Sequence, residues 1–134
     1  MPETLLHADV TEKIIKAFFH VYNTLGYGFL EKVYQNALLI TLRKLGFDVA
    51  YCVPIKVFFE GELVGEYFAD LVINGVVIIE LKAVEALVEA HETQLINYLR
   101  ATPIEVGLLV NFGPKAVFRR KVFANDRKPG IRKE

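Results

Sequence analysis

Apolar residues recur with a helical period over residues 9–24, where Ile14, Ile15, Phe18, Phe19 and Tyr22 fall on one side of a 3.6-residue repeat. Asp9 followed by Glu12 has the spacing of a capping box at the start of that helix. Leu25-Gly26-Tyr27-Gly28 reads as a turn. A second helical pattern covers about 30–45, with Val33, Ala37, Leu38, Leu42 and Leu45 on one side and Gly46 placed to end it. The pattern then turns β-rich. Val49–Phe59 reads as a strand ended by Glu60-Gly61, and a second strand covers about 63–73. Asn74-Gly75 folds the chain back, and 76–82 forms a third strand. A helix over about 88–101 stops before Pro103, and strands over 105–111 and 116–123 are separated by Gly113-Pro114. The order α-α-β-β-β-α-β-β, with a helix crossing between strands, predicts an α/β sandwich built on a mixed sheet.

Composition agrees with one domain, 1–134, carrying a real core: 53% of the 134 residues are hydrophobic and 24% charged. Sixteen basic and sixteen acidic residues give zero net charge, which weighs against tight, non-specific binding of a polyanion. The balance hides an asymmetry. Residues 115–134 carry eight basic and two acidic side chains, so the basic surplus sits at the C-terminal end. That end reads either as an edge that grips a backbone or as a solvated tail frayed beyond Phe123. Cys52 is the one cysteine, so an internal disulfide and a thiolate zinc cluster are both excluded and a reducing, cytoplasmic setting is expected. Its apolar strand makes it a core residue rather than a nucleophile. No signal peptide or membrane span is expected, because the apolar runs are short.

Charge placed against this pattern points to chemistry. The third strand is apolar on both faces through Ile79, then presents Glu80 and Lys82, two residues apart and on one face. Such a pair also occurs as ordinary charge at a strand end. Asp70 changes the balance, because it too interrupts an apolar strand, 67–73. Register links the two strands. A two-residue loop at Asn74-Gly75 sets Ala69 opposite Glu80 and turns Asp70 to the other face. A three-residue loop over 73–75, with Gly75 left-handed, sets Asp70 opposite Ile78 and on the face of Glu80 and Lys82. A shared site therefore requires an odd loop or a bulge. Two carboxylates on adjacent strands suit Mg²⁺ or Mn²⁺, hard ions that take oxygen ligands. Such an ion can activate water and neutralise a scissile phosphate, with Lys82 orienting the water and stabilising the transition state.

Two helices bring further polar residues. Glu31 and Tyr34, in Gly28-Phe29-Leu30-Glu31-Lys32-Val33-Tyr34, lie three apart on one helical face. A carboxylate in a first turn is also what a helix dipole favours by itself. His91, Gln94 and Tyr98 share a face of the later helix, as a polar ridge or as edge-of-core residues; His91 is not named a ligand.

Taken together, Gly28-x-x-Glu31-x-x-Tyr34, Asp70, Glu80-Leu81-Lys82 and Gln94-x-x-x-Tyr98 resemble the GxxExxY family, a branch of the PD-(D/E)XK nuclease superfamily. The similarity runs from about residue 14 to residue 120 and takes in Leu25-Gly26 and Leu109-Val110-Asn111-Phe112-Gly113. One departure is Ala69, where a proline often precedes the acid. The resemblance implies a restriction-endonuclease-like α-β-β-β-α-β core with an extra N-terminal helix and C-terminal strand. It implies that Asp70 and Glu80 bind metal, that Glu31 joins them, and that Lys82 is catalytic with both acids. Gln94 and Tyr98 match the Gln-x-x-x-Tyr signature of the exonuclease-like branch, where such residues support the site or contact nucleic acid; Tyr34 is grouped with them.

The expected activity is Mg²⁺-dependent (or Mn²⁺-dependent) hydrolysis of phosphodiester bonds in nucleic acid, DNA first. All four site residues are intact, which argues against a decayed site. The main alternative is a catalytically silent nuclease-fold module for binding or assembly, favoured by the neutral charge. A weaker one is hydrolysis of a small phosphate ester. A homodimer is compatible with the sequence, which specifies no interface.

Overall fold

Alternation of apolar and polar residues carries through to the fold, with element ends close to those expected. The computed structural model describes residues 6–128. The order is α1 (Ala8–Leu25), α2 (Glu31–Lys44), β1 (Val49–Phe59), β2 (Glu62–Ile73), β3 (Val77–Lys82), α3 (Glu89–Arg100), β4 (Val106–Phe112) and β5 (Ala116–Val122), followed by a 3-10 turn, Asn125–Arg127.

The strands form a five-stranded sheet in the order β1-β2-β3-β4-β5. β1, β2 and β3 are a meander of antiparallel strands. Because α3 carries the chain back across the sheet, β4 runs parallel to β3, and β5 is antiparallel to β4. Pro54 lies in β1, a sheet edge, where its missing N–H costs no central ladder bond. β4, in the interior, is buried along its whole length. α1 and α2 cover one face around Ile14, Phe18, Leu38, Leu71, Ile79 and Val110. α3 covers the other through Leu95, Tyr98 and Leu99 against Ile55, Ile78 and Leu109.

The turn between β2 and β3 is odd, as a shared site requires. Asn74 and Gly75 both have left-handed φ, at 52° and 68°, and the Val76 N–H donates to the Ile73 carbonyl at 2.9 Å. Val76 is the extra residue, so Ile73 pairs with Val77. The loop is thus 74–76 rather than 73–75. The frame moves by two residues, the facing is preserved, and Glu80 rather than Ile78 comes opposite Asp70.

Three local expectations are corrected. There is no capping box at α1: His7 is the N-cap in a left-handed conformation, without a side-chain cap bond, and Asp9 lies inside the first turn. The polar group there is the Thr11 hydroxyl, which donates to the Ala8 carbonyl. Cys52 is exposed rather than core, at φ 52°. The segment beyond Phe123 is tied down as far as Lys128. There the Asn125 N–H donates to Glu105 and the Lys128 ammonium to the carbonyls of Thr102 and Ile104. Residues 129–134, with the last basic side chains, lie outside the described residues.

Candidate active site

β1 and β2 are kinked at the same level. Tyr51 pairs with Leu71 and Val53 with Ala69, but Cys52 and Asp70 between them are unpaired. The side-chain alternation switches there. On β1, Val49 packs with α1 and α2, whereas Val53 and Ile55 pack with α3. On β2, Leu71 and Ile73 lie on the α1–α2 side, while both Ala69 and Val72 lie on the α3 side. The β2–β3 ladder also ends at this level, at Leu71 with Ile79. β2 therefore parts from β3 at Asp70, and the opening between them is filled by carboxylates.

The two acids close that gap reciprocally. The Asp70 backbone N–H donates to Glu80 Oε2 at 2.8 Å, and the Leu81 N–H donates to Asp70 Oδ2 at 2.8 Å. Each carboxylate takes over a bond that the ladder would have made. Among the described residues, Oδ1 of Asp70 and Oε1 of Glu80 have no hydrogen-bond partner. Glu80 is 4% exposed, so ionising it carries a strong desolvation penalty. Burial first, and then the Asp70 carboxylate, push Glu80 up to about 8. Asp70 is also raised, by burial, against the opposing pull of its bond from Leu81 and of Lys82 and Lys32.

Glu31 opens α2, on the other side of the gap. Its helix start is fixed by Tyr34. The Tyr34 hydroxyl donates to the Gly26 carbonyl at 2.6 Å and accepts from the Phe29 N–H at 3.1 Å. Gly28, at φ 118°, supplies a turn that other residues adopt only under strain. The Tyr34 ring is fully buried and stacks on Phe112 at 4.4 Å, so its work is to hold this turn. First-turn position favours ionised Glu31, but burial and then Asp70 outweigh it and raise its carboxyl, with Lys82 pulling the other way. Lys82 sits at the end of β3 without a direct ion pair to the acids, and acts on all three through space. Tyr98 on α3 is near enough for burial, Glu80, Asp70 and Tyr67 to push its hydroxyl up to about 12. Gln94, one turn earlier, lines a cleft beside α3 and makes no side-chain hydrogen bond among the described residues.

The four residues therefore belong to one electrostatic cluster. Among the described residues no three of His, Cys, Asp and Glu stand as a ready-made metal cage. A Mg²⁺-type ion does not need one, since it keeps several waters and uses one or two carboxylates with phosphate oxygens. The two uncommitted oxygens of this buried carboxylate pair are a donor set that fits such an ion.

Several positioning residues escaped the sequence. Gln35 donates to the Asp70 carbonyl at 3.4 Å, one helical turn after Glu31. Asn111, buried beside Lys82 on β4, both donates to the Val84 carbonyl and accepts from its N–H, at 3.0 Å each. It thereby fixes the exit from β3. Asn111 lay within a recognised motif, but its role depends on the parallel β3–β4 pairing. His91 accepts from the Val88 N–H and caps α3. The basic strand residues Arg120 and Lys121 are engaged with the Leu6 carbonyl and with Glu92. No helix among the described residues is long and apolar enough to cross a membrane.

No curated protein matches the chain. A solved structure named "Crystal structure of SSO0001" is similar to it at 20% identity and a TM-score of 0.48, over 88% of this chain and 80% of that one; the likeness says nothing about activity. The model of the PD-(D/E)XK nuclease superfamily matches residues 8–122, which include every element that builds the cluster. With the mixed sheet and its helices in the restriction-endonuclease-like arrangement, this chain belongs to the PD-(D/E)XK nuclease superfamily.

Proposed function

We propose that this protein is a Mg²⁺- or Mn²⁺-dependent nuclease of the GxxExxY branch, hydrolysing phosphodiester bonds in DNA, in a reducing cytoplasmic setting. The observation that carries this is the reciprocal Asp70–Glu80 arrangement, in which each acid spends one oxygen on backbone and keeps one back. Asp70 and Glu80 would hold the ion with those oxygens, and Glu31 would complete the set from the helix. When bound, the ion would neutralise phosphate charge and make water a better nucleophile.

The chain's own groups do the rest. To hold an ion, Glu80 would have to release its proton to solvent, so ionised Glu80 is the form that would serve as a ligand. The Lys82 ammonium orients the attacking water and balances the charge that develops on the phosphoryl oxygens. Tyr98 keeps its proton, so its hydroxyl can donate to a phosphate or sugar oxygen. Gln94 offers its amide to the same strand.

Purified protein should cleave labelled DNA in Mg²⁺ or Mn²⁺ and not in chelator, and Glu80→Gln and Lys82→Ala should abolish that cleavage. Failure to cut single- or double-stranded DNA or RNA under any of these conditions would retract the nuclease. The alternative is a catalytically silent module of the same fold, favoured by the zero net charge of the chain. A silent module would keep its biological role in both variants.

A further inference from the structure

The outer part of the β1–β2 hairpin leans over α3, and together they enclose a cleft of about 800 Å³. Gly65 and Tyr67 on the hairpin face Gln94, Asn97, Tyr98 and Arg100 on the helix. Tyr67 is 49% exposed, a large fraction for an aromatic residue in a strand. Its ring lies back over Gly65, where a Cβ would stand 3.4 Å from Cε2. From the side it is supported by Tyr98, with centroids 5.8 Å apart. The result is a fixed aromatic platform in a concave wall.

Arg100 Nε is buried without a hydrogen bond, while its guanidinium lies over the Phe123 ring, 5.7 Å from the centroid. Among the described residues the side-chain amides of Gln94 and Asn97 make no hydrogen bond. A platform and two free amides are the chemistry of an unstacked nucleotide: the base lies on the ring and the amides meet its edge. The volume falls within the range of about 300–1,000 Å³ usual for small-molecule sites. A base inside a duplex has both faces covered by its neighbours and cannot lie on Tyr67. Tyr98 lines the cleft and is near enough to Glu80 and Asp70 to feel their charge, so the cleft lies beside the carboxylate cluster.

We propose that this cleft is a single-strand subsite, seating an unstacked nucleotide with its base on Tyr67, next to the phosphate presented to the acids. The proposal rests on the phosphodiesterase function above. It makes single-stranded nucleic acid, or an unpaired end, the substrate class.

Fluorescence anisotropy with a labelled oligothymidylate, in chelator so that no cutting occurs, tests it against a blunt duplex of equal length. The wild type is expected to bind the single strand more tightly. Tyr67→Ala is expected to weaken that binding about 5- to 150-fold, and Tyr67→Phe to retain it. Gly65→Leu, which fills the cleft, is expected to weaken it as well, with circular dichroism checking that each variant is folded. Duplex bound as tightly as single strand, no binding at all, or binding indifferent to Tyr67→Ala and Gly65→Leu would overturn the subsite. A protein that binds single strands through Tyr67 but never cuts would overturn the nuclease alone. One that cuts but ignores Tyr67 would overturn the subsite alone.

Discussion

Glu80→Gln removes a charge and keeps the acceptor that holds the Asp70 N–H. Its consequence for stability can be worked from the site. In the unfolded chain Glu80 titrates near 4.5, and in the fold at about 8. Between those values the folded protein holds a proton that the unfolded chain has lost, so stability falls as pH rises. The penalty is absent below pH 4.5, grows through neutrality and is complete above 8. At about 1.4 kcal/mol for each tenfold change in proton affinity, the upper bound is roughly 5 kcal/mol. In the Gln variant this contribution vanishes. Urea unfolding of metal-free protein, followed by circular dichroism because the chain has no tryptophan, should therefore show the wild type losing more stability than the variant from pH 5 to pH 9. At pH 9 the variant should be the more stable by about 2–5 kcal/mol. Mn²⁺ should then stabilise the wild type and not the variant. Parallel pH curves for the two proteins would refute the reasoning, because they would mean that Glu80 is not held protonated by its surroundings.

Lys82→Ala should lower cleavage by about a hundredfold or more while calorimetry finds Mn²⁺ affinity little changed, since Lys82 holds neither acid directly. Tyr34→Phe removes the hydroxyl that ties Gly26 to Phe29; it should cost about 1–2 kcal/mol in unfolding free energy and reduce cleavage through a loosened Glu31. Gly113→Ala places a Cβ 2.2 Å from the Val84 carbonyl, so the melting temperature should drop by the equivalent of about 1–3 kcal/mol.

Helices and strands were legible because burial on this sheet is two-sided and the apolar pattern is strong, as in 76–79 and 106–110. The shared facing of Asp70 and Glu80 was legible as a parity requirement, since an even loop would have separated them, although Asp70 was set opposite Ile78. What the sequence left open was the frame of that turn, because Asn74 and Gly75 accept left-handed φ equally and the choice falls to Val76 and the Asp48–Asn74 bonds. The kink at Cys52 was hidden for a similar reason. An apolar run reads as a regular strand, and only the partner strand, itself broken at Asp70, turns Cys52 outward. The missing capping box at α1 shows the limit of short spacings: His7 starts the helix by backbone geometry, and Asp9 is left over. Glu31 was placed by motif. Its coupling to Asp70 across α2 and the sheet is a property of the packing.

The double duty of the two acids has an evolutionary consequence. Each carboxylate stands in for a missing rung of the ladder between β2 and β3, so losing either would leave a backbone N–H unsatisfied in the interior. Selection for a folded chain alone would therefore retain both, even in a lineage that had stopped cutting. Intact acids are then weak testimony to an active enzyme. Lys82 has no such second employment, and drift at that position is where a lapse of catalysis would first be written.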